Sequence, residues 1–223
     1  MRMSPARIVT WAKARGIDVL GITDHNSAEN IPAALESARR LGLQVLPGME
    51  VTSVEEVHIV ALFDTGEAAE QLQQIVYAHL PGENDEETFG MQVVANADDE
   101  VLGFNQHLLI GATTLSVHAI VSEIKRLGGL AVAAHIDRPS FSLLGQLGFL
   151  PDDLPLDALE ISSAVSYEDA MRRYEPTLPL LQVSDAHKEE DIGHSCTEFL
   201  METVSIDEMK KALQGRDGRA ILR

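Results

Sequence analysis

An α/β fold with a mainly parallel sheet is the architecture this sequence predicts, and three observations predict it. Short apolar runs of strand length alternate with segments whose apolar residues recur at helical spacing. Most of these runs are a helix's length apart, as a parallel crossover requires. Several runs end on a His or a carboxylate, at the position where parallel α/β proteins bind ligands.

The elements follow in order. Ser4-Pro5 opens a helix, because the Ser oxygen can cap free amides and Pro fits a first turn where its missing N–H is not needed. Ile8, Val9, Trp11 and Ala12 give that helix its apolar face, and Gly16 ends it. Ile17–Ile22 is a strand, followed by Thr23-Asp24-His25-Asn26. The next helix, Asn30 to Leu41, carries Ile31, Ala34, Leu35 and Ala38 on one side and stops at Gly42. Leu43–Leu46 is a buried strand that continues through Gly48-Met49-Glu50-Val51-Thr52-Ser53. Only Glu55-Glu56 separates it from Val57–Phe63, too short a connection for a crossover, so these two strands should pair as an antiparallel hairpin. That pairing brings Glu50, late in one strand, near His58, early in the next.

Glu67 to Leu80 is helical and ends at Pro81-Gly82. Residues 83–110 read as an insertion, with a short acidic helix and then a hairpin of Gln92-Val93-Val94 and Val101–Phe104. A helix from Ser116 to Leu127 leads through Gly128-Gly129 into strand Leu130–Ala134 and His135. Leu143 to Phe149 is a short helix or loop, Leu156–Ser162 a strand, Tyr167 to Tyr174 a helix, and Leu178–Ser184 the last clear strand. Phe199–Thr203 adds an edge strand, and Ser205 to Leu213, with Glu208 three residues after its cap, is the closing helix. Residues 1–223 are expected to form a single domain.

Composition narrows the chemistry. The 17 Lys+Arg against 35 Asp+Glu give a formal charge of −18, which argues against a basic stripe gripping long duplex nucleic acid. It leaves open a small or end-bound phosphate compound, because divalent cations can dominate the local field. Cys196 is the sole cysteine, so there is no intramolecular disulfide and no thiolate zinc site, and it is expected to be buried packing. No apolar run approaches the roughly 20 residues that span a bilayer, and no signal-peptide pattern opens the chain, so no membrane association and a cytoplasmic location are expected.

An isolated loop histidine is more often structural than functional, and that reading is kept for His79, His107 and His118. His25, His58, His135 and His187 differ because each abuts an apolar strand at the expected ligand rim, which Glu50 and Asp185 share. Neutral imidazole with carboxylate suits Zn²⁺, Mn²⁺ or Fe²⁺, and a Glu can bridge two ions. These six residues are expected to converge on one metal cluster. Two or three ions a few Å apart would bind phosphoryl oxygens, lower the pKa of a bridging water and stabilise the leaving oxygen, with no Ser or Cys nucleophile. Arg138 would reach a substrate phosphate in a two-pronged contact or form a surface ion pair. His194 would protonate the leaving group or touch phosphate, and Asp24 would orient a ligand from behind.

Ile-Thr-Asp-His-Asn (22–26), Gly-Met-Glu-Val-Thr-Ser (48–53), Glu-Val-His-Ile (56–59), Ala-His-Ile-Asp-Arg-Pro (134–139) and Ser-Asp-Ala-His (184–187), in this order, resemble the polymerase-and-histidinol-phosphatase (PHP) family of metal-dependent phosphoesterases. The resemblance spans almost the whole chain. It implies a distorted (β/α)7-type barrel with up to three divalent ions at its C-terminal rim. His25 and His187 would hold one ion, Glu50, His58 and His135 a second, and Glu50 with Asp185 a third, making Glu50 the bridge.

One departure stands out: the family's opening strand, with its His-x-His, has no counterpart, since Met1-Arg2-Met3 alone precede the first helix. A barrel without that strand would have an open seam whose free edges could recruit a second chain into an oligomer, with reduced activity or none. The resemblance implies hydrolysis of nucleotide phosphate esters or of the 5′ ends of short oligonucleotides, with 83–110 and the loop around 138–150 selecting the substrate. The alternatives are a histidinol-phosphate-type phosphatase and a truncated, non-catalytic metal-binding or scaffold module. A doubly wound nucleotide-binding domain fits less well, because no Gly-rich phosphate loop follows the first strand and Gly128-Gly129 precede a strand.

Overall fold

The computed structural model describes residues 3–222. Side-chain caps start most helices. Ser4 accepts the Arg7 N–H at the head of α1 (Pro5–Ala14), which leads into β1 (Val19–Ile22). Helix α2 (Ile31–Leu41) ends at Gly42, whose φ of 63° is the left-handed conformation that a helix stop favours. Then come β2 (Gln44–Thr52), β3 (His58–Leu62) and α3 (Gly66–Ala78), capped by Thr65. A short α4 (Glu86–Phe89) precedes β4 (Val93–Ala95) and β5 (Val101–Phe104). Ser116 caps α5 (Val117–Arg126), followed by β6 (Leu130–Ala133), α6 (Leu143–Leu147) and β7 (Ala158–Ile161). Ser166 caps α7 (Tyr167–Tyr174), and β8 (Leu180–Gln182), β9 (Glu198–Leu200), α8 (Ile206–Leu213) and β10 (Ala220–Leu222) complete the chain.

Six strands form one curled, half-barrel sheet in the order β1-β2-β3-β6-β7-β8. Neighbours are parallel except that β3 runs against both β2 and β6. The five co-directional strands therefore end on one rim. Because β3 is reversed, its first residue, His58, reaches that same rim and pairs with Thr52 at the end of β2. The expected hairpin between β2 and β3 is thus the device that puts Glu50 and His58 together.

Apolar layers cover both sides of the sheet. Met49, Val51, Ile59, Ala61, Ala131 and Ala133 pack toward α3 and α5, against Leu72, Ile120 and Ile124. The opposite side, with Leu46, Leu130, Val132, Ala158 and Leu181, is closed by Ile206, Met209 and Leu213 of α8. Burial on both faces explains why β6 and β7 read as continuous apolar runs. Strand alternation then assigns Glu50, His58 and Glu160 to the α8-facing side, above Leu46, Val60 and Ala158. Gly48 allows the close approach there, since a Cβ at that position would lie 2.4 Å from the Ala61 carbonyl oxygen.

Three expectations are corrected. The strand expected at Phe199–Thr203 is not an edge of the main sheet: Glu198–Leu200 pairs antiparallel with Ala220–Leu222 in a separate two-stranded sheet. That partner was missed because three residues, Ala-Ile-Leu, carry no periodicity of their own. The last strand of the main sheet is also shorter than the run Leu178–Ser184, because residues after Gln182 turn away toward the site. Cys196 is exposed rather than packed inside. Within 83–110, β4 and β5 pair as the expected hairpin, in a sheet of their own.

Candidate metal centre

Each rim residue is held by its own local device. Asn26, fully buried, clamps the His25 loop: its backbone N–H donates to the Glu50 carbonyl at 2.9 Å, its Nδ2 donates to the Leu109 and Gly111 carbonyls, and its Oδ1 accepts the Thr52 N–H. The Glu50 N–H donates back to the Asp24 carbonyl. At β3, the His58 N–H donates to the Phe141 carbonyl, and the two rings stack with centroids 4.9 Å apart. After β6 the chain turns sharply. His135 and Asp185 have φ of 29° and 43°, left-handed values that cost a non-glycine residue energy and persist where surrounding contacts impose them. Those contacts are present: the Ile136 N–H donates to the Glu160 carbonyl, Asp137 accepts both the N–H and the hydroxyl of Ser162, and Ser184 Oγ accepts the Gly193 N–H. Arg7 of α1 pairs with Glu189 and pins the segment after His187.

The structure gathers the six rim residues. Glu50 Oε1 lies 3.1 Å from His58 Nδ1 and 3.3 Å from His135 Nε2, and Oε2 lies 3.4 Å from His25 Nδ1. Ligand atoms of His25, Glu50 and His58 all fall within 4.8 Å of one another. Ring centroids of His25 and His187 are 5.9 Å apart, and His187 Nδ1 is 3.6 Å from Asp185 Oδ1. Arg138 Nη2 stands 2.7 Å from Asp185 Oδ2. That contact lacks hydrogen-bond angles, so Asp185 Oδ2 is buried next to a cation yet has no hydrogen bond.

Charge follows burial. For Glu50, burial opposes ionisation, but hydrogen bonds with His135 and His58 outweigh it and hold the carboxyl well below its usual range. Burial lowers the pKa of His25, so its imidazole is neutral and its lone pair available to a cation. His135 Nδ1 is buried without any hydrogen-bond partner. A buried carboxylate among imidazoles, with the partnerless His135 Nδ1 beside it, is a donor set that a divalent cation satisfies and that is costly without one.

Glu160 is a rim residue not foreseen from the sequence. It is 6% exposed on β7, and burial, then the charges of Glu50 and Asp185, push its pKa up to about 8. The available signal was a lone carboxylate inside the apolar run Ala158-Leu159-Glu160-Ile161 at the level of the rim. Asn26 was missed as well. Other candidates lie elsewhere or act differently. His194 Nδ1 faces Asp191 at 3.7 Å on the surface, and none of its described contacts is with a rim residue. The Asp24 carboxyl is hydrogen-bonded to Asn30, with burial raising its pKa. His79 ends α3 and contacts the Ile75 carbonyl, His118 pairs with Asp153, and His107 packs on Tyr77 at 4.1 Å.

Comparison with known proteins places this arrangement in context. The PHP domain family model matches residues 2–172. An uncharacterized protein of Methanocaldococcus jannaschii is 26% identical over 72% of this chain and 66% of its own length. The 5′-3′ exoribonuclease Rnm of Salmonella typhimurium is 38% identical over 27% of this chain and 22% of its own length. Among solved structures, the lesion-specific endonuclease PfuEndoQ of Pyrococcus furiosus superposes with a TM-score of 0.70 at 22% identity, over 98% of this chain and 53% of that one. This chain therefore spans about half the length of that endonuclease, and the segment it shares with the exoribonuclease is less than a quarter of that protein. No helix among the described residues is long and apolar enough to cross a membrane.

Proposed function

This chain belongs to the PHP domain family, and from that premise we propose that it is a metal-dependent phosphoesterase acting on nucleotide phosphates or on the 5′ ends of short oligonucleotides. The observation that carries the reading is Glu50, whose two oxygens lie 3.1 to 3.4 Å from three imidazoles. The fragmentary likeness to a protein named as a 5′-3′ exoribonuclease supports the substrate class, as does the net charge of −18, which disfavours a long duplex.

Divalent cations bound at this rim supply Lewis acidity for phosphoryl oxygens and acidify the attacking water. The protein's own groups do the rest. Glu50 would hold the cations together with His58 and His135 near one oxygen and His25 near the other, and Asp185 and His187 would complete the ligand set. The left-handed turns at His135 and Asp185 fix these groups before substrate arrives, so little reorganisation is left for the reaction. Arg138, partly exposed and adjacent to Asp185, would donate to a non-bridging phosphate oxygen of the substrate. Glu160 lies buried on β7 within the field of Glu50 and Asp185.

The test is phosphate-ester turnover by purified protein supplied with Mn²⁺, Zn²⁺ or Fe²⁺, using bis(p-nitrophenyl) phosphate and a 5′-phosphorylated oligoribonucleotide of a few residues. Metal-dependent hydrolysis that chelator abolishes is the expected result; metal binding with no hydrolysis of any ester would mark a non-catalytic module. In the same assay His79→Ala should turn over within about twofold of wild type, because this exposed helix-end residue lies outside the cluster. A loss above about tenfold would show the histidines to be wrongly divided.

A further inference from the structure

A cavity of about 250 Å³ opens from the metal rim toward the β4–β5 hairpin. His25 and Asp24 form its inner end, and Val93, Val94, Leu109 and Ile110 its outer walls. It is smaller than the ~300–1,000 Å³ pockets that hold drug-sized ligands, so it has room for one ring system and not for a whole nucleotide.

Its polar lining has already been allotted. Asn30 donates to the Val93 carbonyl and accepts the Ala95 N–H. Gln92 donates to the Asn105 and His107 carbonyls and accepts the Leu109 N–H. Asn105 donates to Glu29 and to the Tyr77 hydroxyl. These amides, with Asn30 also hydrogen-bonded to the Asp24 carboxyl, hold the hairpin against the body of the protein and leave the ligand to the apolar walls and to the Glu29 carboxylate. No Lys or Arg lines the cavity. A phosphate is thus repelled from it and directed to the rim, while an uncharged flat ring with hydrogen-bond donors on its edge is welcome.

Resting on the phosphoesterase reading above, we infer that this cavity is the subsite for the nucleobase next to the scissile phosphate, favouring a base with an exocyclic amine. The ring lies against Val94 and Ile110, its amine donates to Glu29, and its phosphate reaches the rim at His25 and Glu50. The hairpin thereby becomes the element that distinguishes a nucleotide from a simple phosphate ester.

The test compares two ligands that share sugar and phosphate and differ by the base: adenosine 5′-monophosphate and ribose 5-phosphate, titrated into Mn²⁺-supplemented protein. Wild type should bind the nucleotide at least tenfold more tightly. Val94→Phe, which fills the cavity, and Ile110→Ala, which removes an exposed wall without disturbing the core, should each weaken the nucleotide at least fivefold and leave ribose 5-phosphate within twofold. Equal affinity of wild type for the two ligands, or equal effects of the variants on both, overturns the subsite. The two proposals fail separately: base discrimination in a protein that hydrolyses no ester leaves the subsite and removes the phosphoesterase, whereas ester hydrolysis without base discrimination does the reverse.

Discussion

Glu50→Ala should lower phosphate-ester turnover by at least ~100-fold and reduce bound Mn²⁺ by one equivalent or more. Removing groups that merely orient a metal ligand costs roughly 10- to 100-fold, and Glu50 faces three imidazoles directly, so its loss should exceed that range. The variant should remain folded, because Glu50 contributes its backbone to β2 and its side chain to the rim, while Met49 and Val51 carry the packing. Circular dichroism and metal analysis on the same sample separate loss of the site from loss of the fold. More than a tenth of wild-type turnover, with full metal content, would contradict the bridging role.

The second large effect concerns Glu160 and pH. Its pKa in the folded protein is pushed up to about 8 from the ordinary 4.5 of a glutamate, first by burial and then by Glu50 and Asp185. The folded state thus binds a proton that the unfolded chain releases. The stability this confers is fully present below pH 4.5 and is lost as pH rises through 8, a change on the order of several kcal/mol. His25, its pKa lowered by burial, works in the other direction and contributes stability that is complete above pH 6.5. Comparing wild type with Glu160→Gln cancels the His25 contribution. In the metal-free protein at pH 8, Glu160→Gln should melt about 5 °C or more above wild type, with the difference vanishing toward pH 5. Added Mn²⁺ should raise the melting temperature of wild type more than that of the variant, because a cation neutralises the carboxylate that the substitution removes. An identical pH slope in the two proteins would show that Glu160 stays ionised, or solvated, in the fold.

What could be read from the sequence was local. Ser4, Ser116 and Ser205, read as helix starts, cap their helices within three residues of themselves, so each start is encoded where it occurs; Thr65 and Ser166, not read as caps, do the same. The pairing of Glu50 with His58 was legible for a related reason: a connection of a few residues permits only an antiparallel return. Glu160 was not legible, because its burial depends on β7 lying between β6 and β8, and strand order is set by contacts distant in sequence. The left-handed turns at His135 and Asp185 were likewise invisible, since neither residue is the glycine that normally announces such a conformation. The pairing of Leu200 with Ala220 crosses an intervening helix and rests on three apolar residues.

The account depends most on the rim being built around cations. Anomalous diffraction at the manganese edge from crystals grown with Mn²⁺ measures this directly. The account predicts strong peaks between Glu50 and the imidazoles of His25 and His58, at about 2.0–2.3 Å from the ligand atoms. An unoccupied rim under saturating Mn²⁺, with Glu50 still hydrogen-bonded to His58 and His135, or peaks confined to surface carboxylates, would contradict it.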